Sequence, residues 1–358
     1  MRLSDFDYAL PPHLIAQTPV EPRHASRLMV VERRSGRISH SHFLDLPEYL
    51  RPGDIIVAND SRVIPARLFG VKESGGKVEL LLLKRLGERT WEALVGGKRL
   101  RQNTVFRLNR STIQGRISEV LAGARRVIEF DQPLSPQLAG LGQTPLPPYI
   151  HQPLADPERY QTVYSKIEGS AAAPTAGLHF SPELLLALRE RGVLLEYATL
   201  HIGLDTFKPV EVDDIRQHTI HSEWASLSPE TARRVNEAKL AGGRLLAVGT
   251  TSARTLETAA LRSAGVTGSL KEASQLDPNL CPWKPVAAFA GPTDLFIYPG
   301  FTFRVVDLLL TNFHLPRSSL LMLVAAFAGL DLVRRAYAEA IQEAYRFYSF
   351  GDAMLILP

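Results

Sequence analysis

Cysteine is almost missing from this chain: Cys281 is the only one in 358 residues. A single thiol excludes an internal disulfide and a multi-thiolate metal site. Long apolar runs are missing as well. The longest, residues 320–330, is too short to cross a bilayer and is flanked by charge. Residues 1–8 carry two aspartates and no apolar stretch, so they do not read as a secretory signal. No internal repeat or low-complexity tract is visible, which excludes a solenoid. These absences point to a cytoplasmic protein with no membrane partner. Hydrophobic content of 45% and charged content of 22% exclude wholesale disorder, and the length allows one to three domains.

Acidic residues are scarce in one place. Residues 67–130 contain 14 Lys and Arg against 6 Glu and no Asp, a net of +8. The remainder holds 27 basic and 31 acidic residues, a net of −4. A basic region on an otherwise slightly acidic chain is the footprint of a polyanion binder, with Lys98, Arg99 and Arg101 at its densest point. The same charges would also suit solvated outer faces of strands.

That region differs in pattern too. Runs beginning at Lys77, Thr90, Thr104 and Arg126 are short and rich in β-formers, and turn clusters such as Ser74-Gly75-Gly76 separate them. Strands at short spacing without helices suggest a small barrel. On either side, Ser181-Pro182-Glu183 and Ser228-Pro229-Glu230 open helices that Gly192 and Gly242 close. Between helices lie buried-looking strands at 54–58, 194–200, 244–248, 305–310 and 353–357. The expected fold is a discontinuous α/β domain with a partly parallel sheet, residues 1–66 and 150–358. An all-β, barrel-like insertion at 67–149 interrupts it.

Four of those strands run into polar clusters: Asn59-Asp60-Ser61-Arg62, His201-Ile-Gly203, Gly249-Thr250-Thr251-Ser252-Ala253-Arg254, and Thr311-Asn312-Phe313-His314. Open α/β sheets bind ligands beyond the carboxyl ends of their strands. The third cluster offers helix-start N–H groups, hydroxyls and Arg254 to a carboxylate or phosphate. It lacks a Walker A lysine and the further glycines of a dinucleotide fingerprint. A small-residue loop, 169–177, leads to His179 and suits close backbone approach. Taken singly, each cluster would also serve as a turn or helix cap, and a lone histidine is more often structural. His218 and His221 share an i, i+3 spacing but have no third ligand in sight, so no metal is expected.

Taken together, these segments resemble the S-adenosylmethionine:tRNA ribosyltransferase-isomerases of queuosine synthesis. The resemblance rests on the Ala-Ala-Pro-Thr-Ala-Gly-Leu-His-Phe core before residue 181, Leu200-His-Ile-Gly203, His218-Thr-Ile-His-Ser-Glu223 and the stretch from Gly249. Gly291-Pro-Thr-Asp-Leu-Phe-Ile-Tyr-Pro-Gly300, Thr311-Asn-Phe-His-Leu-Pro316, Tyr345-Arg-Phe-Tyr-Ser-Phe-Gly-Asp352 and Asn59-Asp-Ser-Arg62 complete it. It runs in order from residue 3 to 357 and is weakest in the insertion and at 261–285. Two positions depart from the family pattern: Asp205 stands where a glycine is expected, and Ser319 where a threonine is.

The resemblance implies transfer and isomerisation of the ribosyl group of S-adenosylmethionine onto 7-aminomethyl-7-deazaguanine at the tRNA wobble position. The product is epoxyqueuosine, with adenine and methionine released. At the inferred carboxyl edge of the sheet, His179 and His201 are the candidate proton-transfer groups, with Asp60, Asp205 and Asp294 as rivals. Thr175, Gly177, Gly203, Thr250, Thr251, Ser252, Arg254, Asn312 and His314 become candidates for holding S-adenosylmethionine. Lys98, Arg99 and Arg101 become candidates for tRNA. No cofactor beyond this co-substrate is expected, and a monomer is expected to suffice. A non-catalytic RNA-binding protein and an S-adenosylmethionine-dependent RNA methyltransferase are the alternatives.

Overall fold

The computed structural model describes residues 1–203, 210–271, 273, 276 and 284–358. Asp205 and Cys281 lie outside them. The described chain divides into two compact units. One comprises 1–61, 148–167 and 174–358; the other comprises 62–147 and 168–173.

In the larger unit, nine strands among the described residues form one sheet. In chain order they are β1 (Arg27–Glu32), β2 (Ile38–His42), β3 (Ile55–Asn59), β12 (Leu194–Leu200), β13 (Glu223–Leu227), β14 (Leu245–Val248), β15 (Phe289–Thr293), β16 (Leu308–Asn312) and β17 (Ala353–Leu357). Their order across the sheet is β15-β13-β12-β3-β14-β16-β17-β1-β2. The central four, β12, β3, β14 and β16, are mutually parallel. β17 runs against β16, and β1 runs with β17.

Both faces of this sheet are covered, which is why the central strands read as unbroken apolar runs. Alternate residues of β3 enter different cores. Ile55 and Val57 join the cluster that also contains Leu256 of α4 (Gly249–Ser263), Val235 of α3 (Pro229–Leu240), and residues of α5 (Ser319–Ala328) and α6 (Leu330–Gln342). Ile56 and Ala58 join the opposite cluster, with Leu184 and Leu188 of α2 (Pro182–Glu190). Ser181 and Ser228 cap α2 and α3 by accepting the N–H of Leu184 and Thr231, and Pro182 and Pro229 open these helices.

The smaller unit is a closed antiparallel barrel. Its strands are β5 (Arg67–Lys72), β6 (Lys77–Arg85), β7 (Thr90–Gly96), β8 (Val105–Leu108), β9 (Gln114–Val120) and β10 (Arg125–Phe130). Strict alternation fills the interior with Leu80, Leu82, Trp91, Ala93, Phe106, Ile117 and Ile128. Gly115 is required there, because a Cβ would stand 2.5 Å from Cζ of the buried Phe106 ring. Two short strands, β4 (Ser61–Val63) and β11 (Ile167–Ser170), pair where the chain passes between units, and a one-turn helix, α1 (Leu138–Leu141), follows the barrel.

One expected strand moved. The apolar run at 305–310 pairs only from Leu308 onward. The backbone N–H groups of Arg304, Val305 and Val306 instead donate to the carboxylate of Glu257, at 2.9, 3.1 and 3.0 Å. Glu257 is fully buried on α4, and burial raises its pKa against those three hydrogen bonds. Removing the carboxylate leaves three backbone donors unsatisfied inside the protein. Glu257→Ala should therefore cost about 3 kcal/mol or more. Glu257→Gln, which keeps one acceptor oxygen, should cost less. Urea midpoints of the two variants against the parent check the order.

Candidate active site

Because β12, β3, β14 and β16 are parallel, the four polar clusters emerge on one edge of the sheet. The starts of β1 and β17 lie on the same edge, since Leu28 pairs with Ala353 and Ala353 with Asn312. Asp352 fastens them there, accepting from the backbone N–H of Arg27 at 2.9 Å and of Arg346 at 2.8 Å.

Asn59 sits at the end of β3 and is almost wholly buried. Its Oδ1 accepts from the N–H of Ser61 at 3.0 Å and of Leu200 at 3.1 Å. Its Nδ2 donates to the carbonyl of Leu200 at 3.0 Å and to Oγ1 of Thr251 at 3.3 Å. Three strand ends and the start of α4 thus meet at one side-chain amide.

A second network surrounds His179, which ends a 3₁₀ turn, Thr175–His179. Oγ1 of Thr175 donates to Oδ1 of Asn312 at 2.8 Å. Nδ2 of Asn312 donates to Nε2 of His179 at 3.2 Å and to the carbonyl of Tyr348. Nε2 therefore accepts, the proton resides on Nδ1, and Nδ1 donates to Oγ of Ser26 at 2.7 Å. The ring stacks on Phe43 with centroids 5.0 Å apart. Burial pulls the pKa of His179 down to about 3, with Arg346 and Arg23 adding to the effect. His314 is held in the same way. Its Nε2 meets Oγ1 of Thr311 at 2.6 Å, its backbone N–H donates to the Tyr337 hydroxyl, and burial takes the ring's pKa to about 3. Gly177 is a packing glycine: a Cβ there would stand 2.1 Å from the Tyr164 hydroxyl.

His201 differs. It is half-buried, its ring stacks on exposed Trp224 at 5.3 Å, and burial lowers its pKa. Its Nδ1 is buried without a hydrogen-bond partner. Two residues earlier, on the same face of the strand, Oγ1 of Thr199 donates to Oδ1 of Asp60 at 2.7 Å. Burial raises the pKa of Asp60 despite that bond and the nearby charge of Lys166.

At the start of α4, Gly249 has φ of +85°, and no side chain caps the helix. Thr250 and Thr251 are buried, and Ser252 is buried with its hydroxyl unpartnered. Arg254 is also buried. It forms an ion pair with Glu223, and its Nε donates to the carbonyl of Leu295 at 3.1 Å, leaving Nη2 without a partner. Glu223 also accepts from the N–H of Gly203 at 2.9 Å. Sequence reasoning missed Glu223 as a site residue, although it stands in a quoted motif, because nothing in sequence pairs it with Arg254.

The geometry admits comparison with known proteins. A family model described as queuosine biosynthesis protein matches residues 3–356. The chain belongs to the queuosine biosynthesis family. It is 55% identical over 361 residues to an S-adenosylmethionine:tRNA ribosyltransferase-isomerase from Symbiobacterium thermophilum, covering 100% of both chains. It is 50% identical to the protein of the same name from Moorella thermoacetica, again covering 100% of both. A crystal structure of S-adenosylmethionine tRNA ribosyltransferase from Thermotoga maritima matches with a TM-score of 0.54 and 39% identity. That match covers 99% of this chain and 100% of the other.

Asp294 follows β15; burial tends to raise its pKa, but hydrogen bonds from the Ser269 hydroxyl and the Leu270 N–H outweigh that and lower it. Those bonds fasten a loop. Lys98, Arg99 and Arg101 are exposed between β7 and β8, and no carboxylate pairs with them among the described residues. By contrast, Arg67, Arg116 and Arg125 are paired with Glu79, Glu129 and Glu92 on the barrel. Among the described residues no three His, Cys, Asp or Glu side chains group as a metal site, and no helix is long and apolar enough to cross a membrane.

The buried neutral histidines make stability pH-dependent with a definite sign. Unfolding returns His179 and His314 to a pKa near 6.5, so below that pH the unfolded state binds more protons and gains stability. Their contribution is complete above about pH 6.5 and declines by up to about 1.4 kcal/mol per pH unit per histidine on acidification. The melting temperature should fall from pH 6.5 to pH 5. In His314→Gln that slope should be shallower, which thermal scans in matched buffers would show.

Proposed function

We propose that this chain is an S-adenosylmethionine:tRNA ribosyltransferase-isomerase acting in the cytoplasm as a monomer. The observation that carries the reading is full-length identity of 50–55% to proteins of that name, over a sheet edge where the four polar strand ends converge. The ribosyl carbons of S-adenosylmethionine pass to the aminomethyl nitrogen of 7-aminomethyl-7-deazaguanine in tRNA, and adenine and methionine leave. The sulfonium acidifies the hydrogens on ribose carbon 5′, so a modest base suffices and no metal or redox cofactor is needed. A second group must protonate departing adenine.

His201 is the best-supported proton-transfer residue. It is neutral near pH 7, only half-buried, and has a ring nitrogen without a partner. Asp60, on the same face with its pKa raised, is the natural second group. His179 has both nitrogens engaged, which supports a role in fixing Asn312 and Thr175. The start of α4 suits the methionine carboxylate through its free N–H groups, the Ser252 hydroxyl and Nη2 of Arg254. Thr250, Thr251 and Gly203 frame it.

Incubation with labelled S-adenosylmethionine and precursor-bearing tRNA tests the reaction. Adenine release is expected. S-adenosylhomocysteine would mean a methyltransferase, and no turnover with tight tRNA binding would mean an RNA-binding protein. In single turnover, His201→Ala should lose 10²–10⁴-fold in adenine release, the usual cost of a missing proton-transfer group, while melting near the parent temperature. A rate within about threefold of the parent, well short of that range, would pass the role to Asp60.

The exposed cations between β7 and β8 support tRNA contact by the barrel. Replacing Lys98, Arg99 and Arg101 with alanine should weaken tRNA binding and flatten its salt dependence by roughly one counterion per lost phosphate contact. Affinity for S-adenosylmethionine should stay unchanged. An unaltered salt slope would place the RNA surface elsewhere.

A further inference from the structure

Beside His179, on the side away from Asn312, lies a small cleft of about 20 Å³ lined by Arg23, Arg159, Ser26 and Ser349. None of these residues belongs to the site described above except Ser26, which receives the His179 proton. The cleft has room for at least a water-sized group.

Both arginines are held by backbone carbonyls. Arg23 donates from Nη1 to the carbonyl of Leu178 at 3.2 Å and from Nη2 to that of Glu158 at 3.0 Å. Nη2 of Arg159 donates to the carbonyl of Val20 at 2.7 Å. Carbonyls orient a guanidinium without cancelling its charge, and each arginine keeps further N–H groups. Among the described residues a single carboxylate forms an ion pair with either: Glu21, at 2.8 Å from Arg159. Glu21 is 72% exposed, whereas the Arg159 side chain is 16% exposed, so the partner that can leave is the carboxylate. Asp156 and Glu158 act on Arg23 from nearby, but one oxygen of Asp156 already caps the N–H of Glu158 at 2.9 Å.

Two like charges have been brought to one half-buried cleft. Burial and the charge of Arg159 lower the pKa of Arg23, while Glu21, Asp156 and Glu158 act to raise it. The pair therefore depends on neighbouring carboxylate charge, of which exposed Glu21 is ion-paired to Arg159. Arg346 adds to the positive field at His179. Such an arrangement is stable when an oxyanion joins it, because planar guanidinium groups bind carboxylate and phosphate oxygens with charge-assisted hydrogen bonds.

We propose that Arg23 and Arg159 form an oxyanion-binding site, with Glu21 as a displaceable internal competitor. This rests on the proposed function only for the source of the anion, which is a tRNA phosphate, the methionine carboxylate being assigned to the start of α4 unless the test places it here instead. Binding is measured without turnover, so its outcome is separate from whether adenine is released. The variants are Arg23→Gln, Arg159→Gln and Glu21→Gln. The probes are S-adenosylmethionine and inorganic phosphate by calorimetry, and tRNA by filter binding across salt concentrations.

The arginine variants should weaken one substrate about tenfold or more, the scale of a charge-assisted hydrogen bond. Glu21→Gln should tighten the same one, an opposite sign that a purely structural role does not produce. Loss on tRNA with a salt slope lower by about one per arginine identifies a phosphate. Loss on S-adenosylmethionine alone identifies the carboxylate. If the parent binds neither substrate, the functional reading fails, and loss of phosphate binding in Arg159→Gln still decides the site. Should an arginine variant not fold, exposed Glu21→Gln carries the test. All three probes within twofold of the parent in every folded variant would overturn the proposal.

Discussion

The crevice at the carboxyl edge exists because one amide satisfies the backbone where the sheet opens. The ladder between β12 and β3 ends at Ala198 and Asn59. Beyond that point β3 turns away, and the N–H and carbonyl of Leu200 would face the interior unpaired. Asn59 takes both, and with its remaining donor and acceptor it holds Thr251 and Ser61. Every hydrogen-bonding position of the side chain is filled. Buried backbone groups must be paired, so the strands can diverge only where something substitutes for the ladder. Aspartate would lack the two donors and leucine all four contacts, and either would close or destabilise the opening.

Around that opening the polar groups fall into two sets. Asn59, Asn312, Thr175, His179 and His314 satisfy one another and the backbone. Nδ1 of His201, Oγ of Ser252 and Nη2 of Arg254 are buried and have no protein partner. Buried unsatisfied atoms are costly, and with Oγ of Ser61 these three are the ones that fall within the polar strand-end clusters. A rigid frame with a few open donors and acceptors is what preorganised binding of a polar substrate requires. Inside this frame His179 and Gly177 are packed members of the scaffold, and the role proposed for His201 rests on its open ring nitrogen.

Much of the fold was legible because its signals are local. The runs at 194–200 and 353–357 coincide with β12 and β17, and the Ser-Pro-Glu starts coincide with α2 and α3. The barrel strands that the sequence hides are β5 and β9. β9, Gln114–Val120, reads as polar because its outward residues are Gln114, Arg116 and Glu119, and a glycine replaces an inward side chain. The shift of β16 was invisible for another reason: the acceptor that withdraws residues 304–306 from the ladder comes from Glu257, nearly fifty residues away. The site was legible as a set of polar strand ends. The division of labour among its histidines was not, because identical imidazoles differ only in what surrounds each nitrogen. The ion pair between Glu223 and Arg254 was hidden by the same kind of distance.

That ion pair also bears on how one chain can serve two ligands with opposite electrical demands. A sulfonium is a cation, and a pocket with surplus positive charge would repel it. In the larger unit the buried arginine of the site, Arg254, is ion-paired with Glu223, and Asp60 accepts a hydrogen bond from Thr199 with its pKa raised. Outside residues 67–130 the chain is slightly acidic. A polyanion needs the reverse, and the tRNA contact proposed for the barrel rests on cations that, among the described residues, are exposed and unpaired between β7 and β8 while other arginines of the same barrel are matched to glutamates. Matching those three pairs limits repulsion within a small domain and leaves exposed cations such as Lys98, Arg99 and Arg101 as surplus. Under the proposed tRNA contact, charge segregated in this way would let affinity for the nucleic acid respond to salt while affinity for the small cation would not.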